Sequence, residues 1–144
     1  MDAVNSCQIF DWLWTSGQIS PDDIARMPAM GIEIVMNLAM LTSPGALPDE
    51  DRLVTSLGLT YIHLPVNWEV PLRADFERFT RLLNALHGTP TWLHCAMNMR
   101  VSAFVYLHRR LTLDHDHATA APPMLAIWQP NETWQAFIDS ILAG

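Results

Sequence analysis

Cys95 and Arg100 are the residues of this chain best suited to covalent chemistry on an anion, and both fall in the stretch Trp92-Leu93-His94-Cys95-Ala96-Met97-Asn98-Met99-Arg100-Val101-Ser102. An apolar run ends there in a His-Cys pair, and an amphipathic segment follows in which Val101, Phe104, Val105, His108 and Leu111 recur at helical spacing. The pattern predicts a buried strand, a tight loop and a helix. The first amides of a helix have no intrahelical acceptor and carry a partial positive charge. Anions therefore bind there, and a thiol placed there is favoured in its nucleophilic thiolate form. Arg100 adds a planar fork of donors suited to a tetrahedral oxyanion. A lone cysteine is more often a small buried hydrophobe; the position between strand and helix is what singles out Cys95. The chemistry indicated is a cysteine nucleophile acting on an anionic or sulfur-bearing substrate.

The same residues resemble the signature of the tyrosine and dual-specificity phosphatase superfamily, and of its bacterial members, written His-Cys-x-x-Gly-x-x-Arg-Ser/Thr. In that family the cysteine forms a phosphocysteine, the loop amides and the arginine hold the phosphate, and the hydroxyl helps the thiolate leave. The resemblance implies Cys95 as nucleophile, His94 and Ser102 as supporting residues, and the amides of Ala96, Met97, Asn98, Met99 and Arg100 as the oxyanion cradle. Asn98 stands where the family has Gly, and Asn tolerates the left-handed conformation better than other non-glycine residues. Arg100 follows Cys95 after four residues where the family has five. Either the loop is one residue short, or Val101 occupies the arginine's place. A Cys-x4-Arg loop is similar to that of rhodanese sulfurtransferases, which carry a persulfide on the cysteine. Ser16-Gly17-Gln18 resembles a turn near the N-terminus of small bacterial phosphatase-like domains. The family's general acid is an Asp from a loop ahead of the cysteine. Here Val66–Pro71 contains no Asp, and Glu69, its only acid, is the candidate for that role. Asn67 is the other polar residue, but an amide cannot donate the catalytic proton.

The elements that must hold these residues follow from the chain in order. Ile9–Trp14 reads as an edge strand or a strand and turn, broken at Thr15-Ser16-Gly17. Ser20-Pro21-Asp22-Asp23 starts a helix with a capping Ser, Pro at the first position and acids in the first turn. Ile32–Leu38 is a strand buried on both faces. Asp49-Glu50-Asp51 opens a helix, its acids matching the positive helix end, and Gly58 closes it. Leu59–Pro65 is a strand, and Leu72–His87 a helix with the stripe Leu72, Phe76, Phe79, Leu83 and Leu86. Thr91–His94 is the central strand. Asp114-His115-Asp116-His117 alternates possible metal ligands, but in a flexible loop without organised geometry, and no metal is assigned. Pro122-Pro123 starts a short helical turn, and Asn131 caps the last helix. Asn131-Glu132-Thr133 also matches a glycosylation acceptor, for which capping is the better explanation. His63 and His108 read as packing histidines.

Alternating strands and helices predict one α/β domain over residues 1–144: a central, mostly parallel sheet of about four or five strands with helices on both faces, of the phosphatase-superfamily type. Half of the 144 residues are hydrophobic, enough for a core. No apolar run approaches the roughly 20 residues that span a bilayer, and the N-terminus has no basic signal region. With two cysteines, Cys7 and Cys95, and no disulfide framework, the expectation is a reduced cytoplasmic protein. The net charge of −7 argues against nucleic acid or an anionic membrane as a partner; nothing in the pattern defines an oligomer. The expected function is hydrolysis of phosphate monoesters without a cofactor. Sulfur transfer through a Cys95 persulfide, or binding of an oxyanionic ligand without turnover, are the alternatives.

Overall fold

A computed structural model describes residues 1–144. Its centre is a five-stranded sheet in the order β1-β2-β5-β3-β4. β1 (Cys7–Phe10) and β2 (Leu13–Ser16) form an antiparallel hairpin. The run Ile9–Trp14 is thus split by a turn at Asp11-Trp12, and β2, not β1, joins the interior. β2, β3 (Ile34–Asn37), β4 (Thr60–His63) and β5 (Thr91–His94) run parallel, with β5 between β2 and β3. The central strands β3 and β5 are buried along their whole length, whereas the edge strand β4 is half-exposed. This is why Ile34-Val35-Met36 reads as an unbroken apolar run.

One face of the sheet carries α1 (Pro21–Arg26) and α2 (Glu50–Ser56) over a small core that includes Ile24, Val35, Val54 and Trp92. α1 starts with the expected capping box, Ser20 accepting from the Asp23 amide and Asp23 from the Ser20 amide. The other face carries α3 (Arg73–Ala85), α4 (Met99–Leu111), α5 (His117–Leu125) and α6 (Glu132–Ala143) over a larger core. α4 is buried on all sides from Arg100 to Arg109, not along one stripe as its periodicity suggested. Phe104 meets Phe76, Phe79, Trp134 and Phe137 at ring distances of 5.3–6.0 Å. Truncating such a side chain to Ala costs about 3–5 kcal/mol, so the helix that presents the Cys95 loop is held from every direction.

Two local expectations need correction. Asp116, not the proline pair, starts α5: its carboxylate accepts from the Thr119 amide, and Pro122 and Pro123 lie inside the helix. The His-Asp tract around it is also used structurally, since His115 accepts from Arg109 Nε and His117 Nδ1 pairs with the Tyr106 hydroxyl. Leu72 and Leu111, at the ends of their stripes, are half-exposed. Asn131 caps α6 as expected, accepting from the Trp134 amide. No helix is long and apolar enough to cross a membrane.

Candidate active site

The site is built where β5 ends between two parallel neighbours, the place in an open α/β sheet where strand C-termini leave a crevice. Residues 95–98 leave the strand and turn into α4. Asn98 makes that turn in the left-handed region, with φ 65° and ψ 11°. Its side-chain amide donates to the Asn5 carbonyl at 2.8 Å and to Thr15 Oγ1 at 3.1 Å. The Asn5 side chain returns a bond to the Met97 carbonyl at 2.9 Å. Beneath the loop, the Gln18 amide donates to the Ala96 carbonyl at 2.9 Å. Gly17 has no room for a side chain: a Cβ there would lie 2.6 Å from the Ala96 carbonyl oxygen and 2.5 Å from Val4 Cγ1. The Ser-Gly-Gln turn is therefore the floor on which the loop rests.

Two of the loop's carbonyls, those of Ala96 and Met97, are thus held from below, whereas its amides are not. The amides of Ala96, Met97, Asn98, Met99, Arg100 and Val101 donate to no backbone acceptor. They run into the N-terminus of a 13-residue helix, whose dipole adds to their field. Cys95, buried at the head of this run, and Arg100 line one cleft of about 580 Å³ together with Ala96, Met97 and Met99. Arg100 crosses to the facing loops: Nη1 donates to the Val66 carbonyl at 2.9 Å, Nη2 to Ser43 Oγ at 3.3 Å, and the guanidinium lies 6.0 Å from the Trp68 ring centre. Two anchors fix the fork and leave further N–H groups available. Val101 is buried in the core. Of the two ways to read the spacing, the loop is thus the short one, with Arg100 itself on the cleft.

Glu69 lines the same cleft, exposed, on a turn where the Asn67 side chain accepts from the Glu69 and Val70 amides. Ser102 is not brought to the site. Its hydroxyl donates to the Met99 carbonyl at 2.9 Å and accepts from Trp128 Nε1 at 3.0 Å. It keeps the family's offset from Cys95 but stands one residue further from Arg100, and one residue turns a helical side chain by about 100°. The hydroxyl expected to aid the thiolate instead ties α4 to Trp128.

His94 is fully buried behind the cysteine. Nδ1 lies 3.1 Å from the Cys95 carbonyl, and Nε2 lies 2.7 Å from Glu50 Oε2. Glu50 is the surprise of the Asp-Glu-Asp run: it does not face solvent at a helix start but is 5% exposed. It also accepts from Gln18 Nε2 at 2.8 Å and from the Tyr61 hydroxyl at 3.0 Å, and Tyr61 accepts from Asn37. Burial alone would raise the Glu50 pKa; the bond and charge of His94, with the Gln18 and Tyr61 donors, bring it below the ordinary carboxylate value. Burial and the neighbouring carboxylate push the Tyr61 phenol well above its usual range. Glu50, Ser43, Trp68 and Gly17 were not singled out as site residues from sequence. Only Gly17 left a trace there, in the Ser-Gly-Gln turn.

No family model matches the chain, and no curated protein matches it. Solved structures do. Two crystal structures of a candidate phosphatase of the DUF442 group from Shewanella putrefaciens CN-32 superpose with TM-scores of 0.86 and 0.83, at 28% and 30% identity. They cover 99% and 98% of this chain and 93% and 90% of that one. Pseudomonas aeruginosa TpbA, in complex with phosphotyrosine, gives 0.70 at 14% identity over 98% of this chain and 92% of its own. The core catalytic domain of the Saccharomyces cerevisiae PP-IP phosphatase SIW14, in complex with citrate, gives 0.69 at 13% identity, over 96% and 86%. The last two speak for the fold alone. The architecture is that of the cysteine-based, phosphatase-like proteins. Within it, the chain belongs to the DUF442 phosphatase-like family.

Proposed function

We propose that this protein hydrolyses phosphate monoesters through a phosphocysteine on Cys95. The observation that carries the reading is the shared cleft: a buried cysteine at the head of a run of free amides, with an anchored arginine on the same wall. Amides converging on one point stabilise charge that builds on phosphoryl oxygens without reorganising at the moment of reaction. The Cys95 thiolate attacks phosphorus as the bond to the leaving oxygen breaks, and Glu69 gives that oxygen its proton. Water then attacks phosphorus, Glu69 takes its proton, the P–S bond breaks and inorganic phosphate leaves. The amides of residues 96–100 and Arg100 hold the oxyanion throughout. The test is hydrolysis of 4-nitrophenyl phosphate by the wild type and by Cys95→Ser, with phosphocysteine trapped by acid quench. Turnover that survives in Cys95→Ser refutes the mechanism.

The short loop favours a second reading. Four residues between Cys95 and Arg100 make a tighter ring of donors, and a single sulfur asks for less space than three phosphoryl oxygens. In that reaction the Cys95 thiolate attacks the sulfane sulfur of thiosulfate and releases sulfite. Cyanide then removes that sulfur from the persulfide as thiocyanate and restores the thiolate. Cys95-dependent thiocyanate formation without phosphatase activity would choose this chemistry. Anion binding with neither activity would leave a binding protein.

A further inference from the structure

We propose that Glu50 is a positioning residue for Cys95: its carboxylate holds His94 with a proton on both ring nitrogens, so that the ring clamps the Cys95 carbonyl and turns a positive charge toward the thiol. The inference rests on the reading of Cys95 as the nucleophile, and it does not depend on which substrate the thiolate attacks.

The argument is donor bookkeeping. A carbonyl oxygen only accepts, so the 3.1 Å contact of Nδ1 with the Cys95 carbonyl requires a hydrogen on Nδ1. The 2.7 Å contact of Nε2 with Glu50 Oε2 requires a hydrogen on Nε2 if the carboxylate is ionised. The rest of the network favours that form. Gln18 donates to Oε1 and Tyr61 donates to Oε2, while the Tyr61 oxygen is occupied by the Asn37 donor. One donor besides His94 thus reaches each oxygen of the carboxylate, the arrangement that stabilises its ionised form. Both partners are buried, His94 completely, so the pair is not screened by water. Other titratable groups near the pair are Tyr61 and His63 on β4, Asp51 beside Glu50, and Cys95. The pair is neutral as a whole, and its positive end lies on the Cys95 side. Glu50 comes from α2, 44 residues before His94, so the helix that follows β3 reports directly on the loop that follows β5.

The test reads the thiol, not turnover. The alkylation rate of Cys95 by iodoacetamide is measured against pH for the wild type, Glu50→Gln, His94→Asn and the double variant. Glu50→Gln keeps the shape and removes the charge. Its rate falls about tenfold near pH 6 and matches the wild type near pH 10, where every thiol is ionised; tenfold corresponds to about one pH unit of displaced titration. His94→Asn shows the same fall, and adding Glu50→Gln to it changes the rate less than about twofold, because the two act as one unit. Nitrogen-15 NMR of the wild-type ring, which needs no variant to fold, reads both nitrogens as protonated at neutral pH. A singly protonated ring, a Glu50→Gln profile equal to wild type, or independent effects of the two substitutions overturns the assignment. If these results hold and the wild type hydrolyses no phosphate ester, the phosphatase reading falls and the role of Glu50 stands.

Discussion

Replacing Gly17 by Ala adds one methyl group to the floor under the Cys95 loop. The added Cβ would lie 2.6 Å from the Ala96 carbonyl oxygen and 3.2 Å from Met97 Cα, both backbone atoms. Ordinary contact begins near 3.4 Å, so the loop must rise by about 0.8 Å. Val4, whose Cγ1 is also too close, can turn away; the loop backbone cannot. Overpacking of this kind costs about 1–3 kcal/mol, which for a chain of this length lowers Tm by roughly 3–10 °C. The functional loss should exceed the loss of stability. The amides of Ala96 and Met97 move with the carbonyl, the bond from the Gln18 amide lengthens, and a misplacement near 1 Å in a catalytic constellation can cost about 100-fold. Two assays separate these effects: urea unfolding followed by circular dichroism, and kcat on 4-nitrophenyl phosphate at a temperature where the variant is fully folded. Unfolding free energy within 0.5 kcal/mol of wild type, as expected of an ordinary surface substitution, together with unchanged kcat, would refute the claim that the Ser-Gly-Gln turn sets the height of the loop.

Three further outcomes follow from the site and the core. Glu69→Gln should slow hydrolysis of alkyl phosphates by about 100-fold or more and of 4-nitrophenyl phosphate by under about tenfold, since nitrophenolate leaves without a proton; equal losses in a leaving-group series would remove Glu69 as the acid. Inserting one Gly after Asn98 shifts Arg100 and the loop amides against Cys95 and should lower phosphatase activity by about 100-fold; higher phosphatase activity together with lower thiocyanate formation from thiosulfate and cyanide would show instead that the short loop is built for sulfur transfer. Burial, with His87 and His115 nearby, pushes His108 from 6.5 down to about 4. The unfolded chain therefore binds the extra proton first, so this stabilisation is complete above pH 6.5 and drains away as pH falls to about 4. It is worth about 3 kcal/mol at most, and urea unfolding at pH 5 and 7 should show a smaller difference in His108→Gln than in the wild type.

The elements of this fold were legible because local rules and tertiary packing agree in them. Ser20-Pro21 begins a helix on capping chemistry alone, Ile34-Val35-Met36 is apolar because both faces of its strand are covered, and Thr91–His94 ends directly before Cys95. The Cys95–Arg100 segment could be placed at a helix start for the same reason: strand, turn and helix within a dozen residues are short-range events. What the chain order could not decide was which side chains meet. Two readings of the Arg100 spacing were equally open until the backbone showed Val101 in the core and Arg100 on the cleft. Ser102 had the right offset along the chain and the wrong azimuth around the helix, because a shorter loop changes the phase of every residue after it. Asp49-Glu50-Asp51 reads as three acids at a helix start; the middle one turns inward, where His94, 44 residues away, Gln18 and Tyr61 surround its carboxylate. Periodicity and capping act over one to four residues and are written into neighbouring letters. Pairing between β5, α2 and β4 is set by sheet order, and no local pattern encodes it.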